Sequence, residues 1–509
     1  MDKRYIEEKE VENKFREYLT TLESDISDYL GYKVNLQNKS KKNEELELDI
    51  DIDSHIRNHT SGYADVLFSN LFKEEFSVRL VQQIQKLVYN DEKKSLDWDL
   101  FYKLKSKLSL FFIFGDSTSS ELEIKQLNFL RDLADISSRT YESTAANIGV
   151  IYCNKNVSKQ LCKQYGIEIL YLQEIMSVKA FFDHKKALIR LMDGKSINIL
   201  VNNEFKVYGI VRTKENRLDL SEEIISQFIS YTLNRSLKKV AKRYERFKEF
   251  ADVWGLLSNF SKDEKNLFES EFIYFRAQNK KLDVYNNEDF FISFEKGTWR
   301  LRNLHYLMYI LLDYLIYNVI VPFTRSTKDS ILIETVKRLL KNIETLIKTI
   351  NCLSRDGTSS LIIIANPALL YAYEPWNGPL TKDIALEMLQ TVEVLKEVNR
   401  ITRWNWNDDL YLEFIRYDGY HLELTDINLE LLANLAAVDG ALVLNSSLHI
   451  LSYGEIINVP NMDDLHGDSI AGTGTNAASV VSEQSRLAIK VSADGDVKVF
   501  YRGQNIITV

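Results

Sequence analysis

Three patterns of apolar and polar positions recur along this chain. One is strict alternation: ELELDIDID, Glu45 to Asp53, sets an acid against an apolar residue at almost every step, which predicts an exposed edge strand. Another is the short continuous apolar run. LSLFFIFG (Leu108 to Gly115), IGVIYC (Ile148 to Cys153) and IEILYL (Ile167 to Leu172) are rich in β-branched and aromatic residues and read as strands. Amphipathic helical stretches separate them, and that mixture predicts an α/β region. The third pattern has the helical period. Across residues 333–353, Val336, Leu339, Leu340, Ile343, Leu346, Ile347 and Ile350 trace one apolar face.

Turn chemistry divides these elements. INILVNNEFKVYGIV (Ile197 to Val211) predicts a hairpin with Asn202-Asn203 at its turn, and FFISFEKGTWRLRN (Phe290 to Asn303) a second with Lys296-Gly297. A long helix from Ser221 to about Phe260 lies between them. Pro322 and the polar run TRSTKDS close this half and place a boundary near 325–330. Beyond it the strand LIIIA (Leu361 to Ala365) is followed by a helix near Thr381 to Asn399 and the apolar run LYLEFIRY. A short helix LELLANLAAV, then DGALVL, SLHILSYGEIINV, LAIKVSA and DVKVFYRGQNIITV complete a mixed-sheet α/β domain. The expected organisation is a helical and edge-strand extension over 1–60, an α/β region with two hairpins over 61–325, and an α/β domain over 330–509. No short-period repeat is visible.

Composition narrows the classes. The chain has 509 residues, 45% hydrophobic and 27% charged, a globular balance with room for two to four domains. A net charge of −9 argues against nonspecific nucleic-acid binding by the whole surface and leaves room for a local basic patch. Such a patch lies in the long helix: Arg235, Lys238, Lys239, Lys242, Arg243, Arg246 and Lys248. That face would grip phosphates of DNA or RNA, or be a solvated face paired with acids. Cys153, Cys162 and Cys352 show no CxxC spacing, so neither a zinc site nor a disulfide framework is expected, and no haem. Unpaired thiols and an N-terminal MDKRYIEEKEVENKF without an apolar core fit the cytoplasm. LHYLMYILLDYLIYNVIV, Leu304 to Val321, has the length of a membrane span, but Asp313, Asn318 and four tyrosines favour a buried core helix. His55 and His59 are spaced i, i+4 with no third ligand identifiable, which suits a solvated loop or helix start better than a metal site.

One stretch carries candidate chemistry. GTGTNAASVVSE, Gly472 to Glu483, reads as a Gly/Thr-rich turn running into a helix near Ala477. Backbone N–H groups at such a junction suit an anion, yet no Lys or Arg lies inside it.

Three stretches, RDGTSSLIII (Arg355 to Ile364), LAAVDGALVL (Leu435 to Leu444) and GTGTNAASVVSE, stand in one order with matching elements between them. Together they make the last third of the chain resemble the diadenylate cyclase (DAC) domain family, whose members make cyclic di-AMP from two ATP molecules. The preceding region is similar in architecture to sensor domains fused to DAC-like domains in bacterial nucleotide-signalling and conflict systems. The resemblance implies that Asp439 helps bind Mg²⁺ or Mn²⁺ and orient the attacking ribose hydroxyl, with Gly440 and Ala441 beside the nucleotide. Gly472 and Thr473 match a phosphate-contacting pair. Gly474, Thr475 and Asn476 then stand where the family has Arg-His-Arg. A charged hydrogen bond contributes roughly 1.5–3 kcal/mol, so losing two or three costs on the order of 10³-fold in phosphate stabilisation. Ser492, Ala493 and Asp494 replace a Ser-Glu-Glu of membrane-bound members, and Val438 replaces a His.

The implied function is a nucleotide-binding sensor or regulator of bacterial nucleotide signalling or defence with degenerate cyclase chemistry. It would bind ATP or a cyclic nucleotide and act on a protein partner. Two alternatives stay open: an active diadenylate cyclase, a nucleotidyltransferase working as a homo-oligomer with two domains face to face; and a nucleic-acid-responsive regulator acting through residues 235–248. Charge for the loop could return from Arg486, Lys490, Lys498 or Arg502. The insert NMDDLHGDS (Asn461 to Ser469) offers Asp463, Asp464, His466 and Asp468 for a metal, or is a polar surface loop.

Overall fold

The computed structural model describes residues 20–31, 35–38, 48–51, 89–90, 95–96, 104–115, 119–141, 144–184, 192–213, 220–245, 272–286, 291–302, 304–315, 329–364, 422–445, 448–457, 473–485, 487–501 and 503–509. By packing, the chain divides into two units: Met1–Tyr231 with Asp263–Leu304, and Thr232–Lys262 with His305–Val509. Both carry mixed α/β architecture, each with its own sheet.

Among the described residues, the largest sheet of the first unit has eight strands: β1 (Asn147–Cys153), β2 (Ile167–Ser177), β3 (Ile197–Val201), β4 (Lys206–Thr213), β5 (Phe272–Gln278), β6 (Lys281–Tyr285), β7 (Phe291–Glu295) and β8 (Thr298–Arg302). Their spatial order is β8-β7-β6-β5-β1-β3-β4-β2. Only β1 and β3 run parallel. In the β7–β8 hairpin Glu295 pairs with Thr298, leaving Lys296 (φ 52) and Gly297 (φ 81) as a two-residue turn with both φ positive, the type whose twist matches the strands. The β3–β4 turn is longer than an Asn-Asn pair. Asn202 Oδ1 accepts the N–H groups of Glu204 and Lys206, both at 3.0 Å, and Phe205 takes φ 60. The strand expected over Glu45 to Asp53 is present as Leu48–Asp51, paired antiparallel with Asn35–Asn38.

One expectation is overturned. Leu108 to Gly115 is not a strand but most of helix α1 (Leu104–Phe114). Leu104 and Leu108 are buried one turn apart, and Leu110, Phe112 and Ile113 are buried as well. A short apolar run cannot separate a buried helix from a buried strand by period alone. At the helix end Phe114 packs on Tyr152, Phe205 and Phe275, so tertiary packing decides.

Polar groups also sit inside this sheet. Tyr274 Oη donates to Ser221 Oγ at 2.5 Å and to Asn198 Oδ1 at 3.5 Å, and all three residues are buried. Gly149 makes room for them: a Cβ there would collide with Asn198 Oδ1.

The second unit has a seven-stranded sheet: β9 (Ser360–Ile364), β10 (Leu422–Glu423), β11 (Ala441–Leu444), β12 (His449–Glu455), β13 (Leu487–Val491), β14 (Val497–Tyr501) and β15 (Gln504–Thr508). The order is β10-β12-β11-β9-β13-β14-β15. Central β9, buried at every position, is parallel to β11 and antiparallel to β13. Helix α2 (Asp329–Asp356) lays the predicted face inward: Val336, Leu339, Ile343, Leu346, Ile347 and Ile350 are buried, Leu340 half so.

Of the Leu304 to Val321 run, Leu304–Leu315 forms a helix. Its described side chains are buried all round, among them Leu307, Met308, Leu311 and Leu312, as in a core helix. Among the described residues no helix is long and apolar enough to cross a membrane. The expected helix at Thr381 to Asn399, LYLEFIRY, the histidines His55 and His59, and the insert Asn461 to Ser469 lie outside the described residues.

Candidate nucleotide site

Helix α3 (Leu429–Ala436) opens on Asn428, whose Oδ1 accepts the Leu431 N–H at 2.8 Å. It buries Leu432, Ala433 and Ala436. After it the chain turns through Asp439 and Gly440 into β11. Asp439 is exposed and stands two residues before the strand. Gly440 adopts φ +115, and a Cβ on it would lie 2.5 Å from the Gly454 carbonyl carbon. The fold itself therefore requires glycine there, because the β12 backbone fills the space a side chain would take. Gly454 is its counterpart: it has φ +70, and a Cβ on it would meet Val438 Cγ1 at 3.3 Å.

The second motif is helix α4 (Thr473–Ser485). It starts at Thr473, one turn before the expected Ala477, so Gly474, Thr475 and Asn476 belong to its first turn. Glycine and threonine are poor helix formers. Burial of Ala477, Ala478 and Val481 against the sheet stabilises the helix and carries that first turn with it. The first four N–H groups of a helix have no intrahelical acceptor, and they carry the positive end of its dipole. Thr473 is exposed, while Gly474 to Asn476 are half-buried. Gly472 lies outside the described residues.

The two motifs meet on one face of the sheet. Ala441, Leu361, Ile363, Ala477, Ala478 and Val481 belong to a single apolar cluster. Register extends that face sideways: Glu455 is opposite Ala441, Ala441 opposite Leu361, Leu361 opposite Lys490, and Lys490 opposite Lys498.

Two charged residues on this face escaped the motif reading. Glu455 is buried and accepts a hydrogen bond from Ser452 Oγ. Lys490, only one of four cations considered from sequence, is 8% exposed. Its Nζ donates to Ser359 Oγ at 2.5 Å, Val491 O at 2.9 Å and Ser360 O at 3.3 Å. Burial holds its pKa below the ordinary lysine value. The side chain lies across Gly474, where a Cβ would come within 2.8 Å of Lys490 Cε. Arg486 and Arg502 lie outside the described residues.

Among the described residues, no group of three or more His, Cys, Asp or Glu could hold a metal ion. The exposed carboxylate of Asp439 fits an ion delivered on phosphates, since Mg²⁺ is commonly held by one or two carboxylates plus substrate oxygens. Of the basic stretch in the long helix Leu220–Glu245, Arg235 and Lys238 are half-buried and each has partners. The side chains of Lys239, Lys242 and Arg243, and all of Arg246, lie outside what is described.

No protein-family model matches this chain, and no curated protein does. Among solved structures, the crystal structure of DacA from Staphylococcus aureus, in a double-mutant form, aligns over 32% of this chain and 83% of that one, at 19% identity and a TM-score of 0.19. A likeness at that score assigns neither a residue nor an activity here.

Proposed function

We propose that residues 330–509 form a DAC-like nucleotide-binding module whose occupancy is read out by the region before it, as in a sensor or regulator of bacterial nucleotide signalling. The observation that carries this reading is the convergence of the two motifs: Ala441 and Ala477, distant in sequence, lie in one cluster on one face of one sheet. On this reading the exposed Asp439 carboxylate, two residues before Ala441, and the N–H groups at the start of α4, one turn before Ala477, would flank the bound nucleotide.

Asp439 would hold a phosphate-bound Mg²⁺ or Mn²⁺, and the helix start would receive phosphate oxygens. When bound, the metal supplies charge neutralisation of the phosphates. The first turn of α4 carries no cationic side chain, and phosphoryl transfer depends mainly on positioning and charge neutralisation. With no cation on that turn to stabilise the charge that develops during transfer, the module would hold a nucleotide better than it turns one over, even where charge from elsewhere in the sheet helps it bind.

The test is mass spectrometry of the full chain after incubation with all four nucleoside triphosphates and Mg²⁺ or Mn²⁺, identifying both free products and retained nucleotide. A retained nucleotide without turnover is the expected result. A cyclic dinucleotide that vanishes in Asp439→Asn would make the protein an active cyclase instead. The absence of both product and retained nucleotide would overturn the reading.

A further inference from the structure

A lysine buried to this degree ordinarily has a carboxylate against it. Lys490 has only neutral oxygens, and among the described residues neither it nor Lys498 makes an ion pair. The two lysines are direct cross-strand partners on β13 and β14, so their Cβ atoms stand about 5 Å apart on one face of the sheet, a placement that is destabilising for like charges. The helix start beside Lys490 adds a third positive feature. The acids nearby point elsewhere. Asp494 is exposed and accepts the Asp496 N–H, and Glu483 lies against Gly503. Glu455 sits in the same row but three strands away, about 14 Å at the usual strand spacing.

We propose that Lys490 and Lys498 supply from the sheet the positive charge that Gly474, Thr475 and Asn476 lack, and that with the N–H groups of α4 they bind the phosphate chain of a nucleoside polyphosphate. The proposal rests on the nucleotide reading above and adds the residues that carry its charge. Gly474 is the fitted piece: without a side chain, the helix start lies directly on the Lys490 methylenes. Ser359, which accepts from the ammonium, is exposed, so the amine lies one hydroxyl from solvent. An arriving phosphate would offset the mutual repulsion of the two lysines and the cost of burying one of them. The depressed Lys490 pKa, which comes from burial, agrees with a site completed by an anion.

Calorimetric titration of the full chain with ATP, inorganic tripolyphosphate and adenosine tests this. Lys490→Met and Lys498→Gln are each expected to weaken ATP and tripolyphosphate binding by roughly tenfold or more and to leave adenosine unchanged, Lys498 through the loss of one charged hydrogen bond and Lys490, whose three donors are held by Ser359, Ser360 and Val491, through the loss of its charge beside the phosphates. Lys498 is only half-buried, so its variant keeps the test decisive if Lys490→Met does not fold. Wild-type ATP affinity in the folded variants would overturn the lysine site and leave the nucleotide reading standing. Lysine-dependent binding of tripolyphosphate with no preference for ATP would do the reverse. A wild-type chain that binds none of the three probes would overturn both.

Discussion

Gly440 and Gly454 meet backbone to backbone, so that a methyl group on Gly440 would lie 2.5 Å from one backbone carbon of Gly454 and 2.7 Å from its carbonyl oxygen. Neither atom can swing aside as a side chain would. Gly440→Ala is therefore expected to destabilise the second unit by about 3 kcal/mol or more, combining a left-handed φ with a backbone clash. Gly115 is the control: it has φ +78, and a Cβ added to it would meet nothing within 4 Å, so Gly115→Ala should cost only about 1–2 kcal/mol. Equilibrium denaturation in urea measures both, and equal losses would show that the Gly454 contact is unimportant.

In the first unit, Gly149→Ala drives a methyl into Asn198 Oδ1, and Asn198 has no exposed surface through which to move. The loss should again reach about 3 kcal/mol. Asn198→Ala removes the obstacle at the expense of a buried hydrogen-bond group. The double variant should thus be less destabilised than the two single losses added together, by about 1 kcal/mol or more. Strict additivity would refute the contact.

Burial pushes the Cys153 thiol up to about 12, so almost none of it is thiolate near neutrality, and thiolate is the reactive form. Cys162 and Cys352 are only half-buried. Iodoacetamide at neutral pH should modify those two in the folded protein and reach Cys153 only at the rate of unfolding. Peptide mapping of the labelled chain would show it, and equal labelling of all three would contradict the burial of β1.

Lys490 sets a pH dependence with a defined sign. Its folded pKa lies below the ordinary lysine value of 10.5 because burial disfavours the ammonium. Between the two values the unfolded chain binds more protons than the folded one, so stability rises with pH across that alkaline window. At lower pH the full cost of burying the charge is borne. Lys490→Met should flatten this rise in urea midpoints measured from pH 8 upward. A rise of unchanged size would locate the titrating group elsewhere.

Much of this architecture is legible along the chain, for reasons that differ by element. The face of α2 repeats often enough that its period is unambiguous, and only Leu340 sits at its margin. Lys296-Gly297 announces its hairpin because glycine takes positive φ freely. The β5–β6 hairpin turns through Asn279 and Lys280, both also at positive φ, yet no glycine marks it. The Leu108 to Gly115 run failed for the opposite reason. Its apolar content suits either geometry, and only the distant Tyr152, Phe205 and Phe275 select the helix.

For the site, the order of motifs could be read, and the first turn of α4 could not. Gly474 and Thr475 argue locally against a helix, and the burial of Ala477 and Ala478 in the apolar cluster over the sheet outweighs them. Lys490 was one cation among four because its position depends on the pairing of β13 with β9, a register between segments far apart in sequence.

That pairing has a consequence for how the molecule is made. Ser360–Ile364 is the middle of its sheet, but its partners Ala441–Leu444 and Leu487–Val491 are both synthesised later. While the chain grows, a segment apolar at all but its first position must wait with two open edges, and such segments recruit the wrong neighbours. Contacts this non-local also slow folding after release. A strand buried at every position in the finished unit is thus left unshielded on the ribosome until the last of its partners emerges, and chaperone capture and yield would be decided there.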